Sequence, residues 1–452
     1  MTDAEGAVRM STRKMKDSGV AWLEKIPEGW QVYPLKYGFD FSKGLNITKA
    51  DLTEKGVPVI SYGQIHSKRN TGTHLSDELL RYVPCEFVQS DPAAVLQKND
   101  FVFADTSEDL EGLGNCVFID REDTVMAGYH AIVLRPSIDA EHKYLAYLFK
   151  TDCWRRQIRE LAYGIKVYSL SQKILRRCSI LLPPLPEQRR IAAYLDDRCA
   201  RIDSVIETTK KTIEDYKALK QSLIFEAVTG KNAGGKMKDS GVEWIGAMPE
   251  GWKVTKIGRV GRTSSGATPF RGNESEYFDN ATIRWVKTLD LNDGWVFETE
   301  EKITEAALNS SSCKIMSIDT VMVAMYGGVG TIGKCGLLKR AAATNQAVCS
   351  IVTDGEIIDP RYLLDYLYAI RVTWMCFAVG TRKDPNINQQ IVNQMKLLLP
   401  PLEVQRKIAD YLDKKCATID SLIAEKLALI ADLEAYKKSL VFECVTGKCE
   451  VA

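Results

Sequence analysis

The sequence predicts an α+β protein in which two duplicated, mixed α/β domains are joined by two long helices that form an antiparallel coiled coil. The first observation is a repeat, because LPPLPEQRRIAAYLDDRCARIDS at 182–204 returns as LPPLEVQRKIADYLDKKCATIDS at 399–421. The second is a further pair, MKDSGVAWLEKIPEGW at 15–30 and MKDSGVEWIGAMPEGW at 237–252. The third is a heptad spacing of apolar residues after each LPPL motif. Repeats of this period are too long for solenoid units, so we expect two similar halves with pseudo-two-fold symmetry.

The repeat sets the expected division of the chain. We expect a flexible N-terminus at 1–14, a first domain at 15–181 and a first coiled-coil helix at 182–231. The second domain follows at 232–398, beginning with a linker at 232–236, and the second coiled-coil helix lies at 399–448.

Both domains have the same predicted order of elements. Short strands come first, expected at 57–62, 101–104, 117–119 and 131–135, and at 283–287, 321–326, 336–339 and 347–352. An amphipathic helix follows, at about 141–161 or 361–379, and then a polar loop and a short helix that starts at Ser171 or Asn388. A last strand leads into the Pro-Pro pair.

The long helices are predicted from their apolar seam. Pro183-Pro184 and Pro400-Pro401 stop the preceding strand, and Gly230 and Gly447 are the expected C-caps. Lys426 replaces Thr209 on the seam, where a polar residue sets the pairing register. A dimerisation coil is the plainest interpretation, but both copies lie in one chain, so we expect the helices to pair with each other as an internal spacer. The seam residues that we select are Leu195, Ile202, Ile206, Ile213, Leu412, Ile419, Ile423 and Ile430.

Composition narrows the class of protein. The 452 residues are 45% apolar, enough for several buried cores, and no apolar run approaches the roughly 20 residues of a membrane helix. Twelve Cys without a CxxC pair indicate buried thiols in a reducing compartment, and four His without a paired spacing argue against a metal site. The first 15 residues lack an apolar signal segment, so we expect a cytoplasmic protein. A net charge of +1 means that any nucleic-acid binding depends on local basic patches.

The two copies differ mainly in their loops. The helices and domain ends are retained, whereas the loops have diverged but stay rich in Lys, Arg, Tyr, Asn and Gln. This contrast is expected if the helices share one role and the loops recognise different targets. Drift of the loops is the alternative explanation. Trp22, Trp30, Trp244 and Trp252 lie in the shared segments, so we expect them to be packing anchors at the ends of the coil.

These motifs resemble the specificity subunits of type I restriction-modification systems. The resemblance rests on MKDSG with Trp22 and PEGW at 15–30, the LPPL…QR…IA…YLD blocks, the VTGK endings, and Thr344-Asn345-Gln346-Ala347. It implies that each domain reads half of a bipartite site on double-stranded DNA, and that the coil fixes the gap and docks two DNA adenine methyltransferase subunits. It also implies restriction subunits as partners, a prokaryotic cytoplasm, and S-adenosylmethionine, ATP and magnesium on those partners rather than on this chain. Acidic residues such as Glu207, Glu214 and Asp215 are expected in the docking surface.

The sequence predicts that the chain is not itself an enzyme. The Asn/Asp-Pro-Pro-Tyr/Phe turn of adenine methyltransferases is absent, and 384–387 is only distantly similar to it. The segment 328–335 approaches a P-loop, but Cys335 stands where Ser or Thr is needed for magnesium, so we interpret it as a Gly-rich turn between two strands. Two alternatives remain: a coiled-coil adaptor that does not read DNA, and a stand-alone DNA modification or nuclease enzyme.

Candidate DNA contacts are the cationic and planar side chains of the polar loops. Arg and Lys suit phosphates and guanine edges, whereas Gln and Asn pair with adenine. For any one residue a solvated loop charge is an equally good interpretation, but Lys166 and Lys383 align across the repeat. Asn345 and Gln346 are either base readers or a capping pair. The selected residues are Lys43, Tyr62, Gln64, Lys68, Arg69, Lys166 and Tyr168 in the first domain, and Thr268, Arg271, Lys287, Tyr326, Lys334, Arg382 and Lys383 in the second.

Overall fold

The chain divides into two compact units, each of which combines one domain with parts of both long helices. The computed structural model describes residues 9–10, 13–162, 167–327, 330–380 and 385–451. The first unit comprises the described residues of 1–209 and 428–452, and the second unit comprises 210–427. The expected flexible N-terminus at 1–14 falls largely outside the described residues. No helix within the described ranges is long and apolar enough to cross a membrane.

The first domain is built around a four-stranded antiparallel sheet. Its strand order is Cys116–Phe118, Phe101–Ala104, Ala131–Pro136, Phe39–Lys43. A smaller sheet has the order Met126–Ala127, Val57–Ile60, Arg81–Val83, with its first pair parallel. Two-stranded pairs join Met15–Val20 to Leu23–Pro27, Gln31–Pro34 to Ser179–Leu182, Thr106–Ser107 to Tyr168–Ser169, and Arg9–Met10 to Cys449–Glu450. The helices are Leu35–Gly38, Tyr62–Ile65, Phe87–Ser90, His142–Lys150, Asp152–Arg159 and Gln172–Leu175, with 3-10 turns at Lys49–Asp51, Asp77–Leu79 and Pro92–Ala94.

The second domain repeats this plan with one added strand. Its main sheet has the order Gly261–Ser265, Val348–Thr353, Val321–Ala324, Cys335–Leu338, Gly294–Val296, in which only the last pair is parallel. The smaller sheet has the order Lys302–Ile303, Ile283–Val286, Ala343–Thr344. Two-stranded pairs join Met237–Asp239 to Ala247–Pro249, Lys253–Lys256 to Lys396–Leu399, and Val379–Gly380 to Pro385–Asn386. The helices are Glu274–Tyr277, Glu305–Ser310, Pro360–Ala369 and Gln389–Gln394, with 3-10 segments at Ile257–Arg259, Arg271–Asn273, Thr288–Asp290 and Arg371–Phe377.

Three predicted elements differ from the observed ones, two of them because a side chain caps the backbone. The strand expected at 57–62 ends at Ile60, since the side-chain oxygen of Gln64 accepts from the N–H of Ser61 at the start of the helix Tyr62–Ile65. The helix expected at 141–161 is two helices, because Thr151 has an extended backbone and its hydroxyl accepts from the N–H of Trp154. The helix expected at 361–379 ends at Ala369 and continues as a 3-10 segment.

The two long helices span Leu185–Thr229 and Leu402–Val445, so each is about 66 Å long at about 1.5 Å per residue. In the first unit the ammonium of Lys437 lies 2.6 Å from a carboxylate oxygen of Asp203. In the second unit Lys220 and Asp420 make the corresponding pair at 2.7 Å. The first helix advances by 17 residues between these pairs while the second goes back by 17, so the helices run antiparallel in register. Of the eight selected seam residues, all but Ile423 are buried, and Ile423 is half-buried.

A buried glutamine explains the repeated LPPL…Q motif. Gln188 accepts from the backbone N–H of Glu141 at 2.9 Å and donates to the Pro183 carbonyl at 2.8 Å. Gln405 accepts from Asp359 at 2.9 Å and donates to the Pro400 carbonyl at 2.8 Å. Glu141 and Asp359 are the N-caps of the amphipathic helices, so each glutamine fixes the start of a long helix against the domain of its own unit.

A buried tyrosine fastens the other end of each unit. The hydroxyl of Tyr144 donates to the carbonyl of Val445 at 3.1 Å, and that of Tyr362 lies 3.2 Å from the carbonyl oxygen of Val228. Both carbonyls belong to the last turn of a long helix, where no intrahelical donor is available. Trp30 and Trp252 pack at the same place, each beside the C-capping glycine, as the sequence predicts for packing anchors.

One corresponding position differs in charge between the units. In the first unit the hydroxyl of Tyr147 donates to Asp196 at 2.7 Å. The second unit has Asp365 and Asp413 at these positions, and Oδ2 of Asp365 is buried without a hydrogen-bond partner among the described residues. Burial, and then the nearby charge of Asp413, raise the pKa of Asp365 well above its ordinary value. Burial therefore favours the neutral form of this carboxyl group in the folded second unit.

All twelve cysteines lie in the described residues and are free thiols. Eight are buried, and burial raises the pKa of Cys116 to about 12, so such thiols are unreactive packing groups. Cys85 and Cys376 are exposed, which the prediction of buried thiols missed.

Candidate nucleic-acid interface

In the first domain, loops from several strands meet at one edge of the sheets. The N–H of Gly44 donates to the carbonyl of Ala131 at 3.0 Å, and that of Asp105 donates to the carbonyl of His130 at 3.1 Å. The N–H of Tyr62 reaches the carbonyl of Tyr129 at 3.3 Å. The loops that follow three separate strands are thus held together by backbone hydrogen bonds. We call this edge the first interface.

Close packing of the backbone at this edge requires glycine at Gly44. A Cβ atom there would lie 2.0 Å from the carbonyl oxygen of Gly128. Gly266, the corresponding residue of the second domain, is equally constrained, since a Cβ would lie 1.7 Å from the Thr344 carbonyl oxygen. Glycine is the residue that allows such close backbone contact.

Aromatic and imidazole rings cover the first interface. The Tyr62 ring contacts those of Tyr129, His130 and His66, with centroids 5.8, 5.6 and 6.1 Å apart. His66 Nε2 lies 2.7 Å from the carbonyl oxygen of Thr106, and His130 Nδ1 lies 3.0 Å from a carboxylate oxygen of Asp105. These rings are rigid and carry hydrogen-bonding groups, as base edges and sugar-phosphate groups require. Of the four clustered rings, only Tyr62 is among the DNA contacts predicted from the sequence.

The other selected residues of the first domain lie around this cluster. Lys43 is exposed beside Gly44, and Tyr168 lies in the short strand Tyr168–Ser169, opposite Ser107. Lys68 is exposed, and Arg69 is exposed but pairs with Glu78 at 3.0 Å. The side-chain oxygen of Gln64 accepts from the N–H of Ser61 at 3.1 Å, so one of its two lone pairs is engaged within the domain. Lys166 lies outside the described residues.

The second domain builds the same edge with different side chains. The N–H of Asn345 donates to the Val286 carbonyl at 3.0 Å, and the N–H of Gly266 donates to the Asn345 carbonyl at 3.3 Å. We call this edge the second interface. The side-chain oxygen of Asn345 accepts from the N–H of Ala347 at 3.0 Å, so it caps the turn. Gln346 is exposed, and its side-chain oxygen accepts from the hydroxyl of Thr268. Thr268 and Gln346 therefore lie together on the surface of the second interface.

Two selected cations of the second domain are paired with acids. Lys287 lies 2.9 Å from Glu301 and 3.3 Å from Glu300, and Arg271 lies 2.6 Å from Glu301. The hydrogen bond to Glu301 raises the pKa of Lys287, and the same bond lowers that of the glutamate. The Arg271 guanidinium also lies 4.3 Å from the centroid of the Phe278 ring. A phosphate would have to compete with these carboxylates, so Arg271 and Lys287 are weaker phosphate candidates than Lys68.

The remaining selected residues of the second domain follow the strand Val321–Ala324. Tyr326 is 37% exposed, and Lys334 is half-buried in a turn closed by the N–H of Ala324 donating to the Lys334 carbonyl at 2.8 Å. The Gly-rich segment is thus the predicted turn between two strands, of which residues 328–329 are not described. Arg382 and Lys383 also lie outside the described residues, so the alignment of Lys166 with Lys383 stays a prediction.

The outer faces of the long helices carry apolar side chains that the heptad analysis missed. Val205 is 47% exposed, Leu219 53% and Leu427 54%. Glu207, Glu214 and Asp215 are exposed as well. Ile202 and Ile206, which are predicted to lie in the coil or to contact a partner, are buried. Because the seam residues pack inside the coil, the exposed side chains of the helices include the apolar and acidic residues named above.

Comparison with known proteins follows the same division into two halves. A family model described as "Type I restriction modification DNA specificity domain" matches residues 27–215 and again 249–431. The putative type I restriction enzyme MjaX specificity subunit of Methanocaldococcus jannaschii is 24% identical over 436 residues, 95% of this chain and 96% of that protein. The type I restriction enzyme EcoKI specificity subunit of Escherichia coli K12 is 20% identical over 438 residues, 94% of this chain and 90% of that protein.

Two solved structures share the fold predicted from the repeats. A chain from a study of complex assembly and conformational transition of the type I R-M system is 19% identical, with a TM-score of 0.69 over 94% of this chain and 100% of that one. The HsdS subunit from Thermoanaerobacter tengcongensis is 18% identical, with a TM-score of 0.51 over 94% of this chain and 98% of that one.

Proposed function

Because the chain belongs to the type I restriction-modification DNA specificity family, whose domain it carries twice, we propose that it is the sequence-specific DNA-binding subunit of a type I restriction-modification complex. Each domain reads one half of a bipartite site. The observation that carries this proposal is the pair of interfaces, which share several backbone hydrogen bonds but carry different side chains. The shared bonds join Asp105 to His130 and Gly128 to Ile60 in the first domain, and Met325 to Ala347 and Asn345 to Val286 in the second. Tyr129 and His130 in the first domain stand where Gln346 and Ala347 stand in the second. One scaffold with two sets of polar groups is suited to two different base sequences.

The chemistry of each interface indicates a different mode of reading. At the first interface, Tyr62, Tyr129 and His130 offer planar faces and single hydrogen bonds, whereas both ring nitrogens of His66 are engaged within the domain. Lys43 and Lys68 supply charge for phosphates. At the second interface, the Thr268–Gln346 pair offers an amide, the group that pairs bidentately with adenine. The two half-sites should therefore differ in sequence.

The coil docks two DNA adenine methyltransferase subunits, and restriction subunits join that complex. Support comes from the exposed apolar residues Val205, Leu219 and Leu427, which lie on the helices among acidic side chains. Substituting Val205 and Leu427 by Asp should release the methyltransferase subunits while both interfaces keep binding DNA. Ile206→Asp with Ile423→Asp acts differently, since it breaks the internal seam and should unfold the pair. Loss of DNA binding in the Val205 and Leu427 variant would contradict this assignment.

The chain has no catalytic residues of its own in this proposal. S-adenosylmethionine, ATP and magnesium act on the partner subunits, because the sequence motifs for all three chemistries are missing here. No group of three or more His, Cys, Asp and Glu in the described ranges could hold a metal ion. Turnover of S-adenosylmethionine or ATP, or DNA cleavage with magnesium, by the purified chain alone would favour the stand-alone enzyme instead.

The deciding experiment is to map methylated adenines in cells that carry the chain together with its methyltransferase. We expect one split motif with a fixed gap. Lys68→Ala with Arg69→Ala should weaken contact with one half-site, and Arg271→Ala should affect the other. Methylation that is unchanged on deletion of the chain, with no DNA bound by the purified chain, would leave the coiled-coil adaptor as the better account.

A further inference from the structure

Each domain has an open cleft beside its last short helix, at corresponding positions of the repeat. The first cleft has a volume of about 710 Å³ and is lined by Lys36, Gln172, Lys173, Arg176 and Arg177, together with Pro34 and Ser179. The second has a volume of about 620 Å³ and is lined by Lys256, Arg259, Gln389, Gln390, Asn393 and Gln394, together with Gly258. The helix residues 172, 173, 176 and 177 correspond to 389, 390, 393 and 394. None of these residues is among the DNA contacts predicted from the sequence.

The first cleft carries positive charge that nothing nearby neutralises. Lys36, Lys173, Arg176 and Arg177 are all exposed, and none of them has an ion pair with a described residue. Arg176 lies 4.2 Å from the centroid of the Phe41 ring, which holds its guanidinium at the rim of the cleft. No Asp or Glu lines either cleft in the described parts of the chain. This contrasts with Arg271 and Lys287, whose charges are balanced by glutamates.

Both clefts are joined to an interface through a corresponding glutamine. Gln172 donates to the carbonyl of Ser42 at 3.1 Å, two residues before Gly44. Gln389 donates to the carbonyl of Thr263 at 2.9 Å, three residues before Gly266. At about 3.3 Å per strand residue, the clefts lie about 7 to 10 Å along the strand from an interface, a span of two to three base-pair steps.

We propose that these two clefts bind backbone phosphates of the DNA whose bases the adjoining interface reads. The proposal rests on the proposed function and adds the groups that hold the duplex in place. Lys and Arg contact phosphates as charges, and the amides of the second cleft donate hydrogen bonds to phosphate oxygens. An acidic surface of a partner protein is the competing ligand. Continuity with the interface through Gln172 and Gln389 favours DNA.

The clefts differ in charge, so they should contribute unequally. The first has four cations, and the second has Lys256 and Arg259 with three further amides, since the amide of Gln389 already donates to Thr263. Counterion release depends on the charge that neutralises phosphate, at a slope of about 0.9 per contact in a plot of log affinity against log salt. The first domain should therefore supply the larger share of the salt dependence.

The test uses the full-length chain and a duplex that contains the split motif found by methylation mapping. Binding is measured at several salt concentrations for Arg176→Gln/Arg177→Gln and for Lys256→Gln/Arg259→Gln. Lys16→Gln/Lys25→Gln is the matched control, since both lysines are exposed on the 15–27 hairpin and the charge change is the same. We expect each cleft variant to lower the salt slope by about 2 and the control to leave it unchanged. The cleft variants should weaken binding to intact and scrambled half-sites equally, because phosphates carry no sequence.

Several results would overturn the proposal. Unchanged slopes in both cleft variants would do so, provided that the wild-type chain discriminates the motif, in which case the proposed function still stands. A loss confined to intact half-sites would mean that the clefts read bases. Normal DNA binding with loss of methyltransferase co-purification would assign the clefts to a protein partner. If Arg176→Gln/Arg177→Gln lowers the unfolding temperature, Lys36→Gln/Lys173→Gln tests the same cleft without removing the contact to Phe41.

Discussion

Replacing Gly44 by Ala tests whether the first interface reads one half-site. A Cβ at this position would lie 2.0 Å from the Gly128 carbonyl oxygen, and real Cβ atoms essentially never come within 3.0 Å of another heavy atom. The two loops must therefore separate by about 1 Å. Gly266→Ala causes a slightly larger displacement at the second interface, since its Cβ would lie 1.7 Å from the Thr344 carbonyl oxygen.

The size of the effect follows from the contacts that the loops position. Forcing an extra methyl group into a packed site costs about 1–3 kcal/mol of stability. A shift of about 1 Å also breaks good hydrogen bonds to a base edge, each worth about 1–3 kcal/mol of discrimination, or about 5- to 150-fold in affinity. Gly44→Ala should therefore lose most of its preference for the intact first half-site. Gly63→Ala is the control at the same interface, because its Cβ would meet nothing within 4 Å.

The assay is a fluorescence anisotropy titration with three duplexes, one intact and two with a single half-site scrambled. Gly44→Ala should bind the duplex with a scrambled first half-site as wild type does, and Gly266→Ala should behave in the reciprocal way. If both variants lost affinity equally on all three duplexes, or if neither lost any, the assignment of one half-site to each interface would be wrong.

Three further predictions concern the coil and its attachments. Inserting seven residues after Thr209 and seven after Lys426 lengthens both helices by about 10 Å in register. The methylated motif should then keep its half-sites while the gap between them grows by about one to three base pairs. An unchanged gap would refute the role of the coil as a spacer. The pKa of Asp365 is raised in the folded protein, so binding of its proton stabilises the fold. This contribution to the free energy of unfolding is complete below the ordinary pKa of 3.8 and is lost as pH rises through the higher folded pKa. Asp365→Asn should thus raise the unfolding temperature at pH 8 but not at pH 4, whereas Asp279→Asn, at an exposed site, should change neither. Tyr144→Phe leaves the Val445 carbonyl buried without its donor, so it should lower the free energy of unfolding of the first unit by about 1–3 kcal/mol. An unchanged denaturation midpoint would show that this hydrogen bond is dispensable.

Long, periodic features could be predicted from the sequence, because their signal is spread over many residues. The two helices, seven of the eight seam positions and the order of strands in both domains depend on patterns that local contacts do not override. Two of the breaks that the prediction missed are each due to a single capping side chain. The Gln64 side chain accepts from the N–H of Ser61, and the Thr151 hydroxyl accepts from that of Trp154. Nothing in the surrounding periodicity signals either bond.

The interfaces were harder to predict because tertiary contacts decide which polar side chains remain available. Lys287 and Arg271 looked like free cations, but Glu300 and Glu301 lie 13 residues or more from Lys287 in the chain and pair with them only in the folded domain. Conversely, the rings of Tyr129 and His130 gather around Tyr62 across about 67 residues of sequence. A comparison of the two copies offers one signal, since Tyr129 and His130 align with Gln346 and Ala347 in an otherwise retained turn.

The contacts that the two copies share explain why their interfaces could diverge. Gln188 and Gln405, Tyr144 and Tyr362, and the pairs Asp203–Lys437 and Asp420–Lys220 are retained in both units, and all of them bind helix ends or helix pairs. At the interfaces the retained groups are backbone N–H and carbonyl groups, which every residue except proline supplies in full. A side chain can therefore change there without loss of a scaffold hydrogen bond. Gly44 and Gly266 are constrained by lack of space in their two domains, as is Gly128 in the first, where a Cβ would lie 2.0 Å from the Ser61 hydroxyl oxygen. The side chains around these glycines can therefore differ between the two halves.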